Sequence, residues 1–189
     1  MKLFHYTLGI KLESIFEMGL LRTSPLKPQY PEKPICWLSS NPNFEMSALK
    51  LGMDMSGQSS LMTLEQMAKY GDGLYRFVFE SEQMPVDIYP WAILKPRSKA
   101  KPKITKRLIE RAKLAKANPN EWFGTLDQPI SIANAVLEVG EIQHNGEIEW
   151  SAVHGPINID SHVLQVTLTD LKRAGLGVEC SNQTWAVGQ

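Results

Sequence analysis

An imidazole, a phenol and a hydroxyl follow one another in His5-Tyr6-Thr7, at the end of a short apolar run that begins at Leu3. The run is rich in aromatic residues and suits a β-strand, and a helical pattern begins directly after it. Side chains at exposed strand ends bind ligands and take part in catalysis more often than those in strand interiors. The three residues are therefore candidates for a ligand site, and the alternative is a partly buried histidine beside a core tyrosine.

Two glutamates that each precede a tryptophan are candidate catalytic carboxylates. Glu121 begins one copy of an internal repeat and Glu149 begins the other. Each copy predicts a strand, a tight crossing and a second strand, which lies at 135–139 in the first copy and at 162–166 in the second. In extended backbone, Glu147 and Glu149 point to the same face. Either glutamate can equally be an exposed acid beside a buried tryptophan at a strand edge.

The elements that must position these residues follow from the hydrophobic pattern. Apolar residues recur at helical spacing from Ile10, and Gly19 is a typical residue to end that helix. The segment 34–38 predicts a second strand that closes in a turn at Ser39-Ser40-Asn41-Pro42, and 44–51 predicts a helix after it. Further predictions are a loop at 52–60, a helix at 61–70, a strand at 74–80 and a strand at 86–94 that Pro90 interrupts.

The charge is balanced overall but uneven along the chain. Ten lysines and arginines lie between Lys95 and Lys116 with Glu110 as their one acidic neighbour, which leaves ten basic and nineteen acidic residues elsewhere. Proline spacing predicts a loop over 95–103, and an amphipathic pattern predicts a helix over 104–116, together a basic loop and helix at 95–117. This segment can meet a phosphate backbone, a pyrophosphate or an acidic partner, or form a solvated face.

Length and composition restrict the class of protein. A chain of 189 residues with 43% hydrophobic content predicts one domain, 1–189, with a substantial core. It contains no apolar run of membrane-spanning length and opens without the apolar core of a signal peptide, which predicts a cytoplasmic protein that does not bind membranes. Cys36 and Cys180 lack nearby paired histidines, so we expect free thiols and no metal site.

Taken together, these segments resemble the ADP-ribosyltransferases of the diphtheria-toxin and poly-ADP-ribose-polymerase type. In that family the first strand carries His-Gly-Ser or His-Tyr-Thr-like residues, the next helix ends in an Ile-Leu-x-x-Gly-Leu pattern, and the next strand carries an aromatic residue before small ones. The chain is similar in His5-Tyr6-Thr7, in residues 14–20 and in residues 35–39. The resemblance implies an α+β fold with two small, mainly antiparallel sheets that face each other around a cleft with flanking helices.

The resemblance also implies NAD+ as co-substrate, with no metal. The bond between the nicotinamide and its ribose breaks through an oxocarbenium-like transition state, and a glutamate stabilises the positive charge. Glu121 follows a loop at 117–120 that suits substrate recognition, while Glu149 with Glu147 resembles the Glu-x-Glu element of arginine- and asparagine-modifying transferases. By the same resemblance, the remaining NAD+ contacts are His5 to the adenosine-side ribose, Tyr6 or Trp37 stacked on the nicotinamide, Thr7, Ser39 and Ser40 around the ribose and amide, and Arg22 or the basic segment at the pyrophosphate.

Three functions are consistent with this resemblance. The first is an enzyme that moves ADP-ribose to a protein or nucleic-acid acceptor, or hydrolyses NAD+, as bacterial toxins and phage-defence proteins of this layout do. The second is an RNA 2'-phosphotransferase-like enzyme, which also consumes NAD+ and would hold RNA with the basic segment. The third is a nucleotide-binding module that keeps the cleft and has lost catalysis.

Overall fold

The computed structural model describes residues 1–24, 30–53 and 58–153. Within these residues, three short 3-10 turns lie at Met46–Ala48, Ser81–Gln83 and Pro119–Glu121. In chain order the elements are β1 (Lys2–Leu8), α1 (Gly9–Met18), β2 (Leu20–Leu21), β3 (Ile35–Ser39), β4 (Leu51–Met53), β5 (Ser59–Leu61), α2 (Leu64–Tyr70), β6 (Leu74–Glu80), β7 (Tyr89–Pro90), α3 (Trp91–Arg97), α4 (Pro102–Ala115), β8 (Trp122–Leu126), β9 (Ile130–Ser131), β10 (Val136–Ile142) and β11 (Ile148–Ala152).

The main sheet has seven strands in the order β11-β10-β6-β1-β3-β8-β7, and every neighbouring pair is antiparallel. Two-stranded ribbons, β2 with β9 and β4 with β5, lie outside it. The predicted α+β class with antiparallel sheets is confirmed. The seven strands nevertheless form one hydrogen-bonded sheet, in which β1 and β3 are registered at a single pair, Phe4 with Ser39. Two halves of the sheet therefore meet at this junction.

Alternation along β1 divides the core between the two faces of the sheet. Leu3 joins one cluster, which also contains Leu12 of α1 and Phe77 of β6. Phe4 and Tyr6 join a second cluster on the opposite side. A third cluster covers the β3-β8-β7 half and contains buried side chains from α3 and α4. Because each fully buried leucine or phenylalanine contributes roughly 2 kcal/mol, these clusters hold the two halves in place despite their narrow junction.

The first helix follows the sequence pattern. α1 begins at Gly9, buries Leu12 and Ile15, and ends where Gly19 adopts a left-handed conformation at φ 64°. The Gly19 N–H donates to the Phe16 carbonyl at 3.1 Å and so satisfies one of the last free acceptors of the helix. The predicted helix and its stop signal are confirmed, and β1 is therefore followed by a helix without an intervening loop.

The segment 52–70 is more ordered than its composition predicts. The predicted loop contains parts of β4 and β5, which form a hairpin, while 54–57 fall outside the described residues. The predicted helix starts at Leu64 rather than at 61, because Thr63 accepts a hydrogen bond from the Gln66 N–H while the Gln66 side chain bonds back to Thr63. This reciprocal cap fixes the start of α2. The strand predicted at 74–80 is β6 and is confirmed.

The strand predicted at 86–94 is wrong for most of its length. Tyr89–Pro90 forms the short strand β7, and the chain then enters α3, in which Trp91 and Leu94 are both buried. Their separation of three residues suits a helix rather than a strand, and proline fits directly before a first helical turn. Part of the predicted basic loop also belongs to α3, because Lys95 and Arg97 form its last turn.

The predicted basic helix is confirmed as α4, which begins two residues earlier than predicted at Pro102. Ala112 and Ala115 are buried as expected, whereas Ile104 is 40% exposed. α4 has 14 residues, and within the described parts of the chain no helix is long and apolar enough to cross a membrane.

The helix predicted at 44–51 does not form, and a buried carboxylate explains why. Glu45 is only 7% exposed and precedes the 3-10 turn Met46–Ala48. Its Oε1 accepts hydrogen bonds from Ser47 N at 3.0 Å, Ser47 Oγ at 2.7 Å and Trp122 Nε1 at 3.0 Å, and its Oε2 accepts one from Ser39 Oγ at 2.9 Å. These bonds connect the end of β3 to the start of β8, which a helical Glu45 facing solvent could not do.

Replacing Glu45 with alanine should lower the free energy of unfolding by about 3 kcal/mol, because the buried Ser39 and Trp122 donors and the half-buried Ser47 lose their acceptor. Urea unfolding followed by tryptophan fluorescence measures the loss. Glu13→Ala, an exposed glutamate on α1, is the control and should unfold like the wild type. Equal stability of Glu45→Ala and Glu13→Ala would contradict a structural role for this carboxylate.

Candidate functional site

His5 lies on β1 at the junction between the two halves of the sheet. Its Nδ1 is 2.9 Å from the backbone oxygen of Trp37 on β3, and the ring is half-buried. Burial lowers the pKa of His5 below its usual 6.5, and the positive charge of Lys50 lowers it further, although the bond to Trp37 acts in the opposite direction. A carbonyl oxygen can only accept, so Nδ1 carries the proton of the neutral ring and Nε2 is left as an acceptor.

Two further cations, Arg111 and Lys11, act on Lys50, whose charge acts on His5. Burial lowers the pKa of Lys50 to about 8, and the charges of Arg111 and Lys11 add to this effect. Arg111 extends from α4 and donates from Nη2 to the Leu49 carbonyl at 2.5 Å. Its Nε is buried without an acceptor among the described residues. Lys11, Lys50 and Arg111 form a group of partly buried cations, called here the cation cluster, and an anion would lower its electrostatic energy.

Glu121 lies immediately before β8, at the end of the 3-10 turn Pro119–Glu121. Its backbone oxygen accepts from Ser40 N at 2.9 Å, which holds it against the end of β3. Its carboxylate Oε2 accepts from Asn41 Nδ2 at 2.9 Å, and Oε1 accepts from Asn118 Nδ2 at 3.3 Å. Two side-chain amides therefore orient one half-buried carboxylate.

The sheet brings the His5 and Glu121 strands close together. β1, β3 and β8 are consecutive in the strand order, so only β3 separates the two. Phe4 is opposite Ser39, and Ser39 is opposite Trp122, which aligns residues next to His5 and Glu121 across three strands. An imidazole and a carboxylate thus flank the end of the Trp37 strand.

The second glutamate lies elsewhere. Glu149 is exposed on β11 at the opposite edge of the sheet, where β10 and β6 separate it from β1. Its Oε2 accepts from Gln143 Nε2 at 3.0 Å, and exposed Glu147 accepts from Asn145 Nδ2 at 2.8 Å. Glu121 and Glu149 therefore belong to different regions of the sheet. The part of the second repeat that follows Val153 lies outside the described residues.

The tryptophan of the second repeat packs over a buried arginine. Arg76 of β6 lies between the rings of Phe4 at 4.5 Å and Trp150 at 4.3 Å, and its Nε donates to Glu138 Oε2 at 2.5 Å. Trp150 Nε1 donates to the Asn43 carbonyl at 2.7 Å. Trp150 therefore packs on the core cluster beside β1 and β6. Trp122 of the first repeat instead donates a hydrogen bond to Glu45.

Two of the predicted ligand side chains already have structural partners. Tyr6 is buried, packs against Phe44 with ring centroids 4.9 Å apart, and donates its hydroxyl to the Asn41 carbonyl. Burial raises the pKa of Tyr6 to about 12. Ser39 is 1% exposed and, besides donating to Glu45, accepts from Asn41 N at 3.1 Å. Through these bonds, the Tyr6 and Ser39 hydroxyls hold the backbone of Asn41 in position.

Trp37 belongs to a cluster of three tryptophans. Its ring centroid is 5.6 Å from that of Trp91 and 6.0 Å from that of Trp122, and the side chain remains partly exposed. Gly124 is opposite Trp37 on β8, and a Cβ at that glycine would come within 2.4 Å of the Cys36 carbonyl. Close contact between β3 and β8 therefore requires glycine at this position.

The other predicted ligand residues have fewer contacts. Thr7 is half-buried and pairs with Tyr75, and Ser40 contributes its backbone N–H to Glu121. Arg22 is exposed beyond β2, where its Nε approaches Met18 Sδ at 2.8 Å. Arg22 is thus associated with the end of α1, and the charge that acts on His5 comes from Lys50.

Sequence reasoning missed the residues that support Glu121 and the cation cluster. Asn41 was part of a predicted turn, Asn118 part of a predicted loop, and Arg111 one of many basic residues. A signal for Arg111 was present, because it is three residues after Leu108 and four before Ala115, on the inward face of the predicted helix.

Cys36 is an unreactive thiol in the core. It is fully buried, donates to the Leu21 carbonyl at 3.5 Å, and has its pKa raised to about 12 by burial. Cys180 lies outside the described residues. Within 1–24, 30–53 and 58–153, no three His, Cys, Asp or Glu side chains are grouped so that they could hold a metal ion.

Comparison of the chain with protein-family models, with curated proteins and with solved structures finds no match. Function must therefore be inferred from the side chains themselves. They combine a neutral imidazole with a free acceptor, a carboxylate oriented by two amides, and a group of partly buried cations. Such a site can bind a sugar bearing phosphate groups and stabilise a positive charge that develops on it.

Replacing Lys50 with methionine should make stability depend on pH in a specific way. Lysine titrates near 10.5 when unfolded and near 8 in the folded protein, so the unfolded chain binds more protons between these values. Wild-type stability should therefore rise relative to Lys50→Met as the pH increases from 8 to 10.5. At pH 7, removing the charge should favour the variant by roughly 3 kcal/mol.

Denaturant unfolding of both proteins across this range provides the measurement. Any contact of Lys50 that methionine cannot make adds an offset that does not depend on pH, so the change with pH is diagnostic. Lys69→Met, on the exposed surface of α2, controls for loss of a lysine charge. A difference between wild type and Lys50→Met that stays constant from pH 7 to 10.5 would show that the charge is not destabilised.

Proposed function

We propose that the chain is an NAD+-using ADP-ribosyltransferase in which Glu121 is the catalytic carboxylate. The observation that supports this most directly is the adjacency of three strands, β1 with His5, β3 with Trp37 and β8 with Glu121 before it. The resemblance noted in the sequence requires a histidine strand, an aromatic strand and a glutamate strand around one cleft. Glu149, at the opposite edge of the sheet, does not meet that requirement.

The proposed role of Glu121 follows from its hydrogen bonds. Asn41 and Asn118 each donate to one carboxylate oxygen, which keeps the group oriented. A fixed negative charge stabilises positive charge that develops on a ribose, and preorganisation means that little reorientation is needed during the reaction. Asn41 and Asn118 are positioning residues in this proposal, since they act through Glu121.

The residues near His5 fit the remainder of a dinucleotide. His5 Nε2 can accept a hydrogen bond from a ribose hydroxyl, because Nδ1 already donates to Trp37. The cation cluster offers Lys50 and Arg111 to a pyrophosphate, whose two negative charges would offset their mutual repulsion. The buried Arg111 Nε, which has no acceptor among the described residues, is a further donor for such a group. NAD+ supplies the ADP-ribosyl group, and these side chains bind and orient it.

Release of nicotinamide from NAD+ by the purified protein tests the proposal. Glu121→Gln should reduce the rate by at least about 100-fold, the size of effect expected when a transition-state electrostatic partner is lost. His5→Ala should weaken turnover by roughly 10-fold, since one hydrogen bond is removed. Circular dichroism and thermal unfolding establish that each variant is folded.

Glu149→Gln is the matched control, because it makes the same chemical change at the opposite edge of the sheet. Its rate should equal that of the wild type. Loss of activity in Glu149→Gln with retention in Glu121→Gln would overturn the assignment of the catalytic residue. NAD+ binding measured by calorimetry without any nicotinamide release, with cell lysate or RNA added, would instead identify a binding module. Turnover that requires RNA and removes a 2'-phosphate from it would identify a phosphotransferase.

A further inference from the structure

The outward surface of α3 and α4 is strongly basic. The basic face is defined here as the exposed lysines and arginines of these helices and of their connecting and following residues: Lys95, Arg97, Lys99, Lys101, Lys103, Lys106, Arg107, Lys113 and Lys116. Glu110 is the one acidic residue in this segment, and it lies 3.8 Å from Lys106. A face of one sign on a chain with zero net charge marks a surface that attracts polyanions.

The positive charges of the basic face destabilise α4. Lys101 precedes α4 and Lys103 lies in its first turn, where the helix dipole favours acidic residues, and that turn contains none. Like charges spaced three or four residues apart add repulsion. A bound polyanion would relieve both effects, so the charge pattern favours a binding role over a purely solvating one.

Packing fixes the direction in which the basic face points. Ala112 and Ala115 lie on the buried side of α4, and Arg111 of the same helix donates a hydrogen bond to the Leu49 carbonyl. α4 ends at Ala115, the next residue Lys116 turns the chain with a φ of 56°, and the proposed catalytic Glu121 follows five residues after Lys116. A short segment of chain therefore connects the C-terminal end of the basic face to the turn that contains Glu121.

We propose that the basic face binds a single strand of nucleic acid, which is the acceptor of ADP-ribose. The helix is 14 residues long, about 21 Å at 1.5 Å per residue, and presents cations along most of that length. Regularly spaced phosphates match such a row better than the scattered carboxylates of a folded acidic protein. The proposal that nucleic acid binds here depends only on this surface. The proposal that the bound strand accepts ADP-ribose rests on the proposed transferase function.

Stacking surfaces among the cations favour an unpaired strand over a duplex. The Arg97 guanidinium lies 4.8 Å from the centroid of the Tyr89 ring at the end of α3. Leu114 is 72% exposed and Ile93 is 39% exposed beside the basic residues. Planar and apolar groups of this kind stack with bases whose faces are free, as they are in single strands.

The transfer that follows is balanced without further reactants. A nitrogen or oxygen of the bound strand forms the new bond to the ribose carbon that carried the nicotinamide. The electron pair of the broken bond leaves with nicotinamide, which departs as a neutral molecule. The proton released by the acceptor passes to Glu121 and from there to solvent.

Fluorescence anisotropy with labelled 20-nucleotide DNA and RNA oligonucleotides tests the binding. We expect wild-type affinity to fall steeply with salt, with a slope of log K against log salt near −3.5 if about five phosphates are contacted. Lys103→Glu with Lys113→Glu should weaken binding by at least about 10-fold and make the slope shallower by about 1.4. Lys2→Glu with Lys69→Glu makes the same change in net charge on β1 and α2 and should leave binding unchanged.

The outcomes separate this inference from the proposed function. Reduced oligonucleotide binding in the α4 double variant, with the Lys2→Glu, Lys69→Glu control unchanged, supports the basic face whatever the fate of Glu121. Loss of nicotinamide release in Glu121→Gln with unchanged oligonucleotide binding supports the catalytic proposal independently. Equal binding by wild type and the α4 double variant would overturn the inference, as would poly-glutamate binding more tightly than either oligonucleotide. Labelled ADP-ribose appearing on protein rather than on the oligonucleotide would overturn the acceptor role.

Discussion

The buried carboxylate of Glu45 is the interaction on which the arrangement of the site depends. It accepts hydrogen bonds from Ser39 at the end of β3, from Trp122 at the start of β8 and from the 3-10 turn that follows it. A buried charge is tolerated only where donors compensate its lost hydration, and four donors do so here. The positions of Asn41 and Glu121 follow, because both lie one or two residues from these bonded groups.

A second constraint comes from the sheet itself. β1 and β3 share one registered pair, so the two halves are joined by side chains more than by backbone bonds. His5 occupies this junction and bonds the Trp37 carbonyl, which takes the place of a further backbone bond between the strands. Packing clusters on both faces keep the halves together.

Basic and acidic side chains lie on opposite sides of β3. The cation cluster carries positive charge beside His5, and burial makes that charge unfavourable enough to lower the pKa of Lys50 to about 8. Across β3, the Glu121 carboxylate accepts hydrogen bonds from two amides. A ligand with phosphates at one end and a developing positive charge at the other would complement both regions, which is the electrostatic basis for proposing a dinucleotide substrate.

The sequence by itself determined β1, α1 with its stop at Gly19, β6 and α4, because hydrophobic spacing and caps are local signals. It also identified His5 and Glu121 as candidates, but it could not choose between Glu121 and Glu149, since both precede a tryptophan in similar strands. Only the tertiary structure shows that they lie in different regions of the sheet, with β8 next to β3 and β11 at the far edge. Strand order, the inward turn of Glu45 and the approach of Arg111 to Leu49 all depend on contacts between residues far apart in the chain, which no local pattern records.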